Sequence, residues 1–148
     1  MFISHSSLGN AKQHNIKQTI KLQKRAIRYI NKSSYNSHTS PLFRNSKILK
    51  LKDLYEFHVI NFMFKYDRGL LPTSLSTICQ HQYNVNTSHN TRNINLITKP
   101  IATSEFVNVL PKFKFPEIWN KWANILAAMH SVSKLKNTLK NHYFDLYG

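Results

Sequence analysis

The stretch K-L-K-D-L-Y-E-F-H-V-I-N-F-M-F-K-Y at residues 50–66 carries apolar side chains almost all the way round a helical wheel. Leu54, Tyr55, Phe57, Val59, Ile60, Phe62, Met63, Phe64 and Tyr66 leave only His58, Asn61 and Lys65 as a polar stripe. Such a helix is stable only when most of its surface is covered, so residues 50–65 are expected to be the central core element of a mainly α fold. Gly69 then supplies a left-handed stop, and Pro72 follows at the distance a terminated helix favours.

Toward the N-terminus, Ile16, Ile20, Ile27 and Ile30 are spaced by four, seven and three residues, which puts them on one stripe of a helix over residues 12–31. With Ile16 at zero and 100° per residue, Lys17, Lys21, Lys24, Arg25, Arg28 and Lys32 fall between about 80° and 180°. No acid lies among them. Like charges four apart, such as Lys17 with Lys21 or Lys24 with Arg28, each cost a few tenths of a kcal/mol, so a single-sign face is unlike an ordinary solvated surface. The run S-S-Y-N-S-H-T-S-P at residues 33–41 is expected to end this helix and hold the chain extended before Pro41.

Toward the C-terminus a short apolar piece at residues 70–79 precedes a polar segment, 80–95, rich in Gln, Asn, His, Thr and Ser. It reads as a long mobile loop, with room for short β elements at residues 94–97 and 105–110. Pro111 and Pro116 are expected to frame a basic turn, Pro116 opening a helix to about residue 130 with Ile118, Trp119, Trp122, Ile125 and Leu126 inward. Ser131 is placed to cap a last helix whose stripe is Val132, Leu135, Leu139, Tyr143 and Leu146, with Lys134, Lys136 and Lys140 outside. The expectation is one small helical domain, residues 1–148, with a core around Leu54, Phe57, Ile60, Phe64, Trp119 and Trp122.

Composition narrows the function classes. The 148 residues hold 21 Lys and Arg against 6 Asp and Glu, a net charge of +15, and the first 52 contain eleven cations and no acid. That balance favours a polyanionic partner, although sixteen Lys against five Arg, with sixteen Asn and thirteen Ile, is also what an A+T-rich coding sequence produces. One cysteine, Cys79, excludes an internal disulfide and a multi-cysteine zinc site, and Cys79, His81 and His89 match no standard finger spacing. No run reaches the roughly 18 apolar residues of a membrane span, and the first ten residues lack a signal-peptide core, so an intracellular chain, nuclear or cytoplasmic, with no membrane partner is expected. The three glycines, Gly9, Gly69 and Gly148, make no phosphate-cradling loop, and the six acids are too scattered for two-metal catalysis. No enzyme activity, cofactor, metal or small-molecule substrate is expected.

Several stretches in order resemble one family: N-I-K-Q-T-I-K-L-Q-K-R-A-I-R-Y-I at 15–30, S-S-Y-N-S-H-T-S-P-L-F at 33–43, I-L-K-L-K-D-L-Y at 48–55, F-M-F-K-Y at 62–66 and L-L-P at 70–72. H-N-T-R-N at 89–93, P-E-I-W-N at 116–120 and the helix from Ser131 to Tyr143 complete the series. The succession resembles the region downstream of the polymerase in reverse transcriptases of non-LTR (LINE-type) retrotransposons, across nearly the whole chain. The resemblance implies a parent polyprotein with an endonuclease and an RNA-directed DNA polymerase, in which this segment is a non-catalytic helical C-terminal extension contacting RNA or DNA. It further implies that the catalytic aspartates lie upstream of Met1. Leu8-Gly9-Asn10 stands where the family has Trp-Gly-Asn, as in a truncated copy.

The expected partner is therefore RNA or single-stranded DNA, held largely through phosphates by Lys17, Lys21, Lys24, Arg25, Arg28 and Lys32, with Arg92 and Tyr83 of the polar segment as further candidates. The alternatives are a helical protein-interaction module, whose last two helices dock a partner while the charge is incidental, and a translated retrotransposon relic with no role.

Overall fold

The computed structural model describes residues 13–72, 74, 96–98, 101 and 110–148. They are mainly helical, with α1 at Gln13–Ile30, α2 at Thr39–Asn45, α3 at Leu51–Asp67, α4 at Pro111–Ala127 and α5 at Val132–Asp145. No strand occurs among the described residues. Ile97 is a single bridge position whose N–H and C=O are both held by the Asn120 side-chain amide, at 2.8 and 2.9 Å.

The chain divides into two compact units. The first, residues 1–57 and 136–148, contains α1, α2, the opening turns of α3 and the greater part of α5. Among its described residues, the buried side chains are Ile27, Thr39, Phe43, Leu49, Phe57, Leu139, Tyr143 and Tyr147. The second, residues 58–135, holds the rest of α3, all of α4 and the first turn of α5. There Ile60, Met63, Phe64, Trp119, Trp122 and Leu126 are buried, and the Phe62 and Phe115 rings meet edge to face at 5.8 Å.

Three helices end in the same way, and the local chemistry differs. At the end of α1, Ser33 N–H donates to Arg28 O and Lys32 N–H to Tyr29 O; Ile48 and Lys47 repeat this pattern after α2, and Leu70 and Gly69 after α3. This paired closure needs a left-handed residue. Gly69 takes it at φ 63°, whereas Lys32 and Lys47 adopt φ 49° and 52° with a side chain in place.

Several expectations change. Pro41 does not follow an extended segment but sits at the third position of α2, where the N–H it lacks would have had no intrahelical acceptor. Likewise Pro111, not Pro116, opens α4, and Pro116 lies buried inside that helix, which ends at Ala127. A proline at the sixth position removes only the bond to the Lys112 carbonyl, and burial of its ring accompanies that loss. Leu54 and Ile125 are only partly covered, Ile30 is 61% exposed, and Asn61 of the expected polar stripe is buried. At the C-terminus Leu146 is 68% exposed and Tyr147 takes the interior position, because α5 stops at Asp145 and the chain turns. Ser131 does cap α5, its Oγ accepting from Lys134 N–H at 3.2 Å.

Candidate nucleic-acid interface

Helix α1 owes its orientation to one side. Ile27 is buried, Ile16 and Ile20 are half-buried, and the Gln23 amide bridges two backbone groups, donating to Leu49 O and accepting from Leu51 N–H, each at 3.0 Å. At its end Asn31 donates to Ser46 Oγ at 2.9 Å. Gln23 and Ile27 are four residues apart and Asn31 four further on, one ridge of the helix. Lys17, Lys21, Lys24, Arg25 and Arg28 lie about 60° to 160° from Ile27 around the axis at 100° per residue, so packing leaves most of this face in water.

Lys17, Lys21, Lys24, Arg25 and Lys32 are all exposed, and none is paired with a carboxylate among the described residues. Arg28 differs. It is half-buried, donates Nε–H to Ser37 O at 3.0 Å, and places its guanidinium carbon 5.8 Å from the centre of the Tyr35 ring. One of the six candidates thus also shapes the turn that follows the helix. Arg92, Tyr83, Cys79, His81 and His89 lie outside the described residues.

A groove of about 230 Å³ adjoins this face. Ile20, Phe43 and Leu51 give it apolar walls, and Lys24, Lys50 and Lys52 stand along it, with Asp53 the acid present. Asp53 is already engaged: the Tyr147 hydroxyl donates to its Oδ2 at 2.5 Å and accepts from Lys50 N–H at 2.9 Å. Burial, and next this bond to Asp53, push the Tyr147 phenol above its ordinary 10.0. Lys50 Nζ bonds Ser40 Oγ at 2.9 Å and lies 4.1 Å from the centre of the Tyr147 ring. Tyr147 and Gln23 therefore satisfy the backbone N–H groups of Lys50 and Leu51 that open α3, work usually done by a Ser or Asp next to the helix.

The link from Lys24 to Lys52 is not legible in the sequence, because the two are far apart in the chain and meet through tertiary contacts such as the Gln23 bridge. The signal available is the absence of any good capping residue before Leu51. A second feature that periodicity does not show is aromatic: Tyr29 is 87% exposed and Tyr35 73% exposed, both beside the cations. Among the described residues no group of three His, Cys, Asp or Glu is placed to hold a metal ion, and no helix is long and apolar enough to cross a membrane.

No protein-family model, curated protein or solved structure matches this chain.

Proposed function

We propose that this chain is a non-catalytic nucleic-acid-binding segment that holds RNA or single-stranded DNA through its phosphates, and that it derives from the region downstream of the polymerase in a non-LTR retrotransposon reverse transcriptase. The supporting observation for binding is the outer surface of α1 and the turn that closes it: five exposed cations, without carboxylate partners among the described residues, beside or opposite the packed isoleucines. The first unit as a whole carries thirteen Lys and Arg against three acids. The origin rests on the ordered sequence resemblance alone.

Arg25 can hold a phosphate through two parallel hydrogen bonds, while Lys17, Lys21, Lys24 and Lys32 act as point charges that set affinity without reading sequence. Arg28 contributes its remaining donors from a fixed position, since its Nε–H is committed to Ser37. Affinity without base preference should be on the order of 10⁻⁴ to 10⁻⁶ M at physiological salt.

The test replaces Lys17, Lys21, Lys24, Arg25 and Arg28 by Gln and measures binding to unrelated oligonucleotides across a salt series. Each phosphate that the variant no longer neutralises should flatten the log–log salt slope by about 0.7 to 0.9. Equal weakening for all sequences with a flatter slope supports the reading; unchanged affinity and slope would refute it and return the face to a plain solvated surface.

A further inference from the structure

We infer that Tyr29 and Tyr35 are stacking surfaces for unpaired bases, so that the cationic face of α1 selects single-stranded nucleic acid over duplex. This rests on the phosphate-binding reading and adds to it a second kind of contact. Tyr29 is 87% exposed on the last turn of α1. Arg25 precedes it by one turn, and Lys32 follows by three residues, its N–H bonded to the Tyr29 carbonyl at 3.1 Å. The ring therefore has the exposed Arg25 one turn before it on the helix and the exposed Lys32 in the left-handed turn that closes the helix just after it.

Tyr35 occupies a corner of the turn closed by Ser37 N–H donating to Ser34 O at 3.0 Å. Arg28 pins that turn through the Ser37 carbonyl and lies toward the face of the Tyr35 ring, which stays 73% exposed. Neither ring contributes to the core. A large aromatic surface left in water and flanked by cations matches what an unpaired nucleotide offers, a base with a π face and an adjoining phosphate. In a duplex the faces of the bases are already stacked on one another, so only the phosphate contacts would remain.

The experiment uses the full chain and three fluorescent probes: a 12-nucleotide oligoadenylate, an abasic strand of the same length and charge, and a 12-base-pair duplex. Three variants are compared with the wild type: Tyr29→Leu with Tyr35→Leu, Tyr29→Phe with Tyr35→Phe, and Lys17, Lys21, Lys24 and Arg25 all replaced by Gln. Arg28 is kept because it holds the turn. The wild type should bind oligoadenylate at least about five-fold more tightly than the abasic strand, the lower end of the effect of one base stacked on one ring. The Phe pair should keep that ratio, and the Leu pair should bring it to one while leaving abasic binding, duplex binding and the salt slope unchanged. A wild-type ratio of one, or a ratio that survives in the Leu pair, overturns the stacking inference even if the Gln variant loses affinity for all three probes. If the Gln variant binds all three as tightly as the wild type, the phosphate reading fails first and the inference with it.

Discussion

Helices α1 and α3 are almost equal in length, 18 and 17 residues, and stand in opposite relation to the interior. On α3, Phe57, Val59, Ile60, Met63 and Phe64 are buried along with Asn61; among the described side chains of α1 only Ile27 is. At about 1.5–3 kcal/mol for each large apolar side chain fully buried, α3 is held by packing, whereas α1 gains little from it. Leu22, Tyr29 and Ile30 of α1 stay exposed, and polar bridges through Gln23 and Asn31 fix the helix in place. The difference separates two kinds of element, one whose residues are dictated by the core and one whose outer surface is left for another use.

The largest effect that tests this contrast is Phe64→Ala, which should cost about 3–5 kcal/mol by removing a ring that is 2% exposed. Leu22→Ala on α1 should stay within about 0.5 kcal/mol, as expected at the surface. Chemical denaturation of the two variants measures both. A similar loss in each would mean that α1 is as tightly packed as α3 and would remove the basis of the comparison.

Next in size is Tyr147→Phe, where the polar anchoring of α3's first turn is at stake. The substitution strips a partner from Asp53 and from the Lys50 N–H, and a loss of about 1–3 kcal/mol at neutral pH follows for groups left without their bonds. A pH signature accompanies it. Burial and the hydrogen bond to Asp53 raise the Tyr147 phenol, and burial with the charges of Glu56 and Asp53 raises Tyr143. The unfolded chain then releases these protons first, so stability is full below pH 10 and falls as pH climbs above it. The wild type should lose stability between pH 9 and 11 more steeply than the Phe variant, by about the contribution of one phenol. Parallel curves would remove Tyr147 from that account.

These residues also mark where the sequence is legible. Periodicity suffices for α1 and α5, because one side of each makes most of its contacts within a short repeat; α3 is legible instead from an apolar surface running almost all round it, and Ser131 and Gly69 act on their own helix ends. The isoleucine stripe of α1 determines which way the lysines face. Pro41 and Pro116 mislead, since proline signals a break unless the missing N–H lies in the first turn or the ring is buried, and burial is a tertiary fact. Tyr147 is hidden for the same reason. Its value comes from Lys50 and Asp53, nearly a hundred residues away, and a stripe read along α5 alone prefers Leu146.

A smaller effect tests the three matching helix ends. Lys32→Gly and Lys47→Gly should each stabilise by about 0.5–1 kcal/mol, since glycine adopts a left-handed backbone without the penalty of a Cβ. Gly69→Ala should destabilise by a similar amount of about 1 kcal/mol. Among the described residues nothing lies within 4 Å of where a Cβ at Gly69 would stand, so that loss would come from the backbone alone. If thermal melts show gains at Lys32 and Lys47, these two positions carry lysine at a cost to stability. Both lie in the more basic of the two units.

The smallest predicted change bears most directly on what the α1 surface is for. Lys21 sits one turn from both Lys17 and Arg25, is exposed, and has no carboxylate partner among the described residues. Lys21→Gln should therefore raise stability by a few tenths of a kcal/mol at low ionic strength, because it relieves two like-charge pairs at i,i+4 spacing. The gain should shrink at about 0.5 M salt, where screening already suppresses the repulsion. In the same variant, affinity for an oligoadenylate should fall. Opposite signs in stability and binding would mark Lys21 as a residue that serves a partner and not the fold, the relation expected across the whole exposed face of α1. A loss of stability instead would mean that the lysine stem packs on its neighbours, making α1 resemble α3 more closely than its burial indicates.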